Sequence, residues 1–222
     1  MVLSTATASS EPREGIDFFP LSVDYEEKLY SVGKIPGGFI KREGKPSERA
    51  ILTSRVIDRQ MRPRFPKDLR NDVSIVNMVM SVEQDNSPEF ASIMGSVIAT
   101  CISDIPFNGP IAGVILGLID GQVVINPNTE QRKQSQMYVT LSADKEKIVM
   151  IEAGGNEIPD DTMLNAIKQG HEEIKRLIAF IEEIVQAAGK EKFAYKSMAV
   201  PQDIFNDVMQ ACKSELSDAM MN

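Results

Sequence analysis

The sequence predicts an α+β fold with a mixed sheet and packed helices, and three observations carry that reading. Val73 to Val82 (VSIVNMVMSV) is a β-branched, apolar run of the kind that forms a buried strand. Residues 112–126 and 137–152 each hold two apolar runs around a polar turn, Asp120-Gly121 in the first and Asp144 to Lys147 in the second, the pattern of antiparallel pairs. Pro159 to Gly189 repeats apolar residues at helical spacing, among them Met163, Ile167, Ile174, Ile178, Ile181 and Val185. Strands interleaved with helices early, and hairpins late, fit helices laid on a mixed sheet.

Taken in order, Val2 to Ala8 reads as a strand entered with no lead-in, which suggests a start inside a larger domain. Phe18 to Tyr30 reads as a second extended run, with Phe19, Leu21, Val23 and Tyr25 alternating against polar neighbours. Ser47, with Glu48 in the first turn, opens a helix that stops before Pro63. Ser87-Pro88-Glu89 is an N-cap, an N1 proline and a first-turn acid. The helix it opens is apolar nearly all round, with small residues at Ala91, Gly95 and Ala99, so it reads as buried. Gly189 fits as the terminator of the long helix. Lys190 to Val200 reads as a linker, and Pro201 to Met221 as a helix with Ile204, Phe205, Val208, Met209, Cys212 and Leu216 on one side.

The 222 residues suit one large domain or one and a half small ones, and the 42% apolar and 25% charged shares are those of a globular protein. No apolar run approaches the ~20 residues of a membrane span, so no membrane is expected. The N-terminus lacks the basic-then-apolar pattern of a secretory signal. Cys101 and Cys212 each lie in an apolar helical pattern and read as buried free thiols in a cytoplasmic setting. With one histidine, His171, a histidine-based metal site or triad is hard to build, and the residue reads as a satisfied helix position. Glu157, Asp160 and Asp161 sit at a helix start, where acids favour the dipole; hard-cation sites need more oxygen ligands than that.

Charge is distributed unevenly. The net charge is −8, yet Gly37 to Pro66 (GGFIKREGKPSERAILTSRVIDRQMRPRFP) holds eight basic and three acidic residues, a local balance of +5. Gly37, Gly38 and Gly44 bracket a mobile loop carrying Phe39-Ile40-Lys41-Arg42. On the helix that follows, a pitch of about 100° per residue puts Arg55, Arg59 and Arg62 within an arc of roughly 60°. Ala50, Ile57 and Met61 lie on another side and read as the packing stripe. Guanidinium forks match phosphate oxygens two at a time. An aromatic residue beside basic ones suits a single strand, with Phe39 stacking on a base while Lys41 and Arg42 follow the backbone. A solvated basic face, or a face that docks an acidic protein, are the competing readings.

Several segments resemble the first RNase PH-like half of the bacterial polynucleotide phosphorylase family. They are Asp17 to Leu21, Gly33 to Phe39, Arg42 to Glu48, Ile57 to Arg59, Met61 to Pro63, Ile105 to Pro110 and Gly170 to Glu172. The resemblance implies an RNase PH-like fold, of the ribosomal-protein-S5 domain 2 kind, over residues 1–190, entered after its first strands. It places residues 191–222 in a linker and the first helix of an all-α domain. It further implies a homotrimeric ring that degrades single-stranded RNA, not DNA, from the 3′ end. Phosphate is consumed, nucleoside diphosphates are released, and RNA-degradation proteins are possible partners.

The same resemblance indicates which half this is. The family's active half has a Gly/Ser/Thr phosphate cluster and a Met-Asp-Phe-Lys stretch; here the matching places read Asp85-Asn86-Ser87-Pro88 and Met137-Tyr138-Val139-Thr140. Tyr138 is no hard anionic magnesium ligand, and Thr140 brings no cation. No catalytic or metal-binding residue is therefore expected in this chain, and Mg2+ and inorganic phosphate are expected in a second core domain. The family's Phe-Phe-Arg-Arg aperture loop maps to Phe39-Ile40-Lys41-Arg42. Phe39, Lys41, Arg42, Arg55, Arg59 and Arg62 are the implied RNA contacts, and a purely structural RNA-binding ring protomer is the alternative.

Overall fold

The structure, a computed structural model, describes residues 1–39, 41–83 and 85–221. The strand runs close into two sheets. β1 (Val2–Ala8), β2 (Leu21–Glu27) and β3 (Val73–Val79) form one in the order β1-β3-β2, with β3 antiparallel to β1 and parallel to β2. Mixed pairing is confined to this sheet. β4 (Ala112–Ile119), β5 (Gln122–Ile125), β6 (Met137–Ala143) and β7 (Ile148–Gly155) form an antiparallel sheet in the order β5-β4-β6-β7. The extended run expected from Phe18 to Tyr30 is shorter than its pattern, because Leu29–Val32 tightens into a 3-10 turn closed by Gly33 at φ 69°.

The helices follow their sequence signals closely. α1 (Glu48–Met61) starts at Ser47, whose side chain accepts the Ala50 N–H, and it buries Ala50, Ile57 and Met61. α2 (Pro88–Ile102) starts at Ser87, which accepts from the Glu89 N–H. α3 (Thr129–Gln134) has a short reciprocal capping box between Asn128 and Gln131 that pattern reading passed over, since six residues are too few for a periodic stripe. α4 (Asp160–Ala188) buries Ala166, Gly170, Ile174, Ile178 and Ile181. α5 (Gln202–Met221) buries no residue.

α2 lies between the sheets, against β1 and β4, while α4 covers β4 and β6 from the other side. That is why β4 is buried along nearly its whole length instead of alternating. A glycine sets each approach. A Cβ on Gly95 of α2 would collide with the Ser4 hydroxyl of β1, and one on Gly170 of α4 would meet Leu116 and Leu141 at 2.9 Å. One apolar core joins both sheets, and Ile57, Leu69, Ile75, Leu116, Leu141 and Ile178 are among its fully buried members.

Gly189 terminates α4 as expected, in an extended cap with φ −67° and ψ 144°. The chain leaves the helix straight because Lys190 N–H bonds the Ile102 carbonyl. Residues 190–198 are consequently a strap and not a free linker: Lys192 Nζ donates to the Thr100, Cys101 and Ser103 carbonyls, and Tyr195 donates to Asp68. Both thiols are expected to be buried, and one needs correction: Cys101 is buried, but Cys212 is exposed, because α5 buries none of its described residues.

Candidate nucleic-acid interface

The basic segment folds into the two parts its composition suggests. Phe39 stands fully exposed on the loop, and Lys41 and Arg42 are exposed beside it. Gly38 takes φ 81° and Lys41 takes φ 49°, so the loop turns twice through the left-handed region that glycine favours. Its far end is tethered where Glu43 accepts the Leu29 N–H at 2.6 Å and faces Lys28 Nζ at 3.4 Å. Ile40 lies outside the described residues. The loop runs straight into the Ser47 cap, and eight residues of helix carry the chain about 12 Å on to Arg55.

The arginines of α1 share a side of the helix but not a fate. Arg55 is exposed. Arg59 is half exposed and reaches Glu152 on β7 at 3.7 Å, a long contact that leaves most of its donors to solvent. Arg62 is committed to the chain itself. It binds Asp58 at 2.7 Å, donates to the carbonyls of Phe19 and Leu21 at 3.1 and 3.2 Å, and sits 5.9 Å over the Phe19 ring. Arg62 therefore pins α1 to the entry of β2. Spacing places these residues on one face; the carbonyls that claim Arg62 come from a distant segment and leave no trace in the helical pattern.

Beside this face, the places compared with an active half are occupied by groups that satisfy one another. Thr140 is buried and donates to the Tyr138 hydroxyl at 2.7 Å. Desolvation, reinforced by the Glu89 and Glu152 carboxylates, holds the Tyr138 phenol above its ordinary value, so it stays neutral. Ser87 caps α2 and donates to Glu89 at 3.0 Å; Glu89 also takes Arg49 at 2.9 Å. A hard cation needs several free oxygen ligands. The Tyr138 and Thr140 hydroxyls bond each other and the Glu89 carboxylate is taken by Ser87 and Arg49, a donor set that does not fit Mg2+. His171 donates from Nε2 to the Asp144 carbonyl at 2.9 Å.

Sequence reasoning missed the cavity these groups enclose. It has a volume of about 200 Å³ and opens between α1 and the β6-β7 edge, with Leu52, Thr53, Val56, Tyr138 and Glu152 in its wall. The strand residues are more than eighty positions from the helix in sequence, and no local signal links them.

This arrangement, an RNase PH-like fold with an arginine-bearing helix beside a cavity, defines a class that the comparisons identify. The model of the 3′ exoribonuclease family, domain 1, matches residues 1–106, and that of domain 2 matches residues 109–173. The chain belongs to the 3′ exoribonuclease family. It is 66% identical over 221 residues to the polyribonucleotide nucleotidyltransferase of Ruminiclostridium cellulolyticum, covering 100% of this chain and 31% of that protein. With the protein of the same name from Clostridioides difficile it shares 56% identity over 220 residues, covering 99% of this chain and 31% of that protein. The chain thus spans about a third of the length of these curated relatives. A crystal structure of rice (Oryza sativa) Rrp46 superposes with a TM-score of 0.67 at 15% identity, covering 83% of each chain, a likeness of fold alone.

Proposed function

We propose that this chain is the RNA-guiding half of a phosphate-dependent 3′-to-5′ exoribonuclease that releases nucleoside diphosphates and works as a homotrimeric ring in the cytoplasm. The observation that carries the reading is the contrast between Tyr138-Thr140, which bond to each other where an active half would hold Asp and Lys, and Arg55 and Arg59, which stay exposed nearby. The names of the close relatives support the activity of the whole protein.

In this reading the chain's own residues bind and orient. Phe39 stacks on a base of single-stranded RNA, and Lys41 and Arg42 follow its backbone. Arg55 and Arg59 hold phosphates, and Arg62 keeps α1 in place. Mg2+ and inorganic phosphate belong to a second RNase PH-like repeat outside this chain, where the metal would stabilise charge on the transferred phosphoryl group. The 222-residue chain, incubated with oligo(A), phosphate and magnesium, is expected to release no nucleoside diphosphate. Sustained release above a blank would remove the guiding-half reading and place chemistry here.

A further inference from the structure

The groove between α1 and the β6-β7 edge has a use that phosphate contacts do not exhaust. We infer that its cavity, built where Leu52 and Val56 of α1 face Tyr138 and Glu152 of the sheet, is a pocket for a single nucleobase, preferring bases that carry an exocyclic amine. The inference rests on the RNA-guiding reading of α1 and deepens it.

Four observations converge. The first is size. About 200 Å³ lies below the roughly 300–1,000 Å³ of sites that enclose drug-sized ligands, so the cavity admits one planar ring system and leaves the sugar and phosphate outside. The second is the wall: Leu52, Val56 and Ile115 are apolar and the Tyr138 ring is 44% exposed, which gives a flat ring surfaces to lie on.

The third is the polar complement. The Tyr138 and Thr140 hydroxyls share one hydrogen bond at 2.7 Å, which leaves the Tyr138 hydroxyl with further hydrogen-bonding capacity toward a ligand. Glu152 meets Arg59 at 3.7 Å through one oxygen, Oε2, leaving Oε1 as an acceptor at the mouth. Adenine, cytosine and guanine each present an amino donor to such a carboxylate, whereas uracil presents carbonyl oxygens beside its one ring N–H. The fourth is charge. Arg49 in the wall is matched by Glu89 and Arg59 at the rim by Glu152. The cavity itself therefore suits a neutral ring, not an anion. Arg55 and Arg59, one helical turn apart on the same helix, are left outside it to meet the phosphates.

The base can come from the bound RNA strand or from a free mononucleotide, and the test separates them. In the full-length protein carrying this chain, without phosphate so that RNA is not consumed, affinities for oligo(A) and oligo(U) of equal length are measured at several salt concentrations. Wild type is expected to favour oligo(A). L52F, at an exposed position, crowds the mouth; Y138F removes the hydroxyl and keeps the ring. Each should shrink the oligo(A)/oligo(U) ratio about threefold to tenfold, the range of one lost hydrogen bond or stacking contact. The salt slope and thermal midpoint should not move. A ratio that falls when AMP is added assigns the pocket to free nucleotides; a ratio that AMP leaves intact, yet both variants lower, assigns it to the strand. A ratio unchanged in both folded variants overturns the pocket while leaving the arginine face standing. An unchanged salt slope in R55A with a ratio still lowered by L52F would overturn the phosphate contacts and not the pocket.

Discussion

Two connectors of similar length and no regular structure behave in opposite ways. The glycine-rich loop before α1 presents Ile35 and Phe39 almost fully exposed, while Lys34 and Glu43 tie its ends to Leu29. The strap from Lys190 to Ala199 lies on the domain, with Phe193 and Tyr195 against the core and the Phe193 and Met198 N–H groups bonded to Asp104 and Asp68 carbonyls. Glycines make the loop expensive to order, and its charges gain nothing by burial. The strap, Lys190 to Ala199, has no glycine and two aromatic anchors. The difference teaches that a connector docks when its apolar anchors and donors meet carbonyls that would otherwise be orphaned, here those ending α2. The loop is held through Lys34 and Glu43, and Phe39, Lys41 and Arg42 between them stay exposed.

Substitutions in the strap and in the loop should therefore divide between stability and binding. The largest expected effect is on stability. Lys192→Met strips the donor from three carbonyls at the end of α2 and should cost about 2–3 kcal/mol. At about 2–4 °C per kcal/mol for a chain of this size, calorimetry should record a clear fall in thermal midpoint, with RNA affinity at 25 °C unchanged. A midpoint that does not move would mean the strap is held by its aromatics alone.

Phe39→Ala should do the reverse. It removes a stacking surface worth roughly 1–3 kcal/mol while the midpoint holds, because Phe39 packs on nothing in the domain. Arg55→Ala and Arg59→Ala should each lower the magnitude of the log affinity against log salt slope by about 0.7, alike for all RNA sequences. Arg62→Ala should lower the midpoint instead, since its guanidinium is bound to Asp58 and to the Phe19 and Leu21 carbonyls. Titrating binding against salt separates the two kinds of arginine.

Acid should act on the strap and spare the loop. A hydrogen bond from Ser197, against some burial cost and helped by Tyr195, holds the Asp68 carboxyl below its ordinary 3.8. A depressed carboxylate contributes stability that is fully present above its unfolded value and is lost as pH falls through the folded one. Proteolysis after Lys190 to Lys196 should thus accelerate below about pH 3.8, and Asp68→Asn should remove that dependence. The smallest effect is chemical. Burial pushes the Cys101 thiol up to about 11, so at pH 7.5 an alkylating reagent should label the exposed Cys212 and reach Cys101 only after unfolding.

Much of the fold was legible locally. Ser47 and Ser87 cap their helices, Asp120-Gly121 turns the β4-β5 hairpin with φ 49° and 74°, and the stripe of α4 faces the core. Periodicity and capping are short-range properties, written within one turn of the residues they govern. Part of the candidate interface was legible for the same reason, because helical pitch alone puts Arg55 and Arg59 together.

What the sequence determined is most of the strands and longer helices, the arginine-bearing helix among them, and a family membership carried by motifs spread along the chain, while the short α3 and the 3-10 turn at Leu29–Val32 escaped it. The tertiary structure decided which arginines are available, since the carbonyls of Phe19 and Leu21 claim Arg62 and a β7 carboxylate meets Arg59. It also decided which amphipathic helix is buried: α4 packs on β4 and β6 where Gly170 meets Leu116 and Leu141, whereas α5 buries none of its described residues. And it made the cavity, from Leu52 and Val56 on one side and Tyr138 and Glu152 on the other. A pattern fixes which way a side chain points from its own helix or strand. What it meets there depends on groups far away in sequence, and only the packed chain brings them within reach.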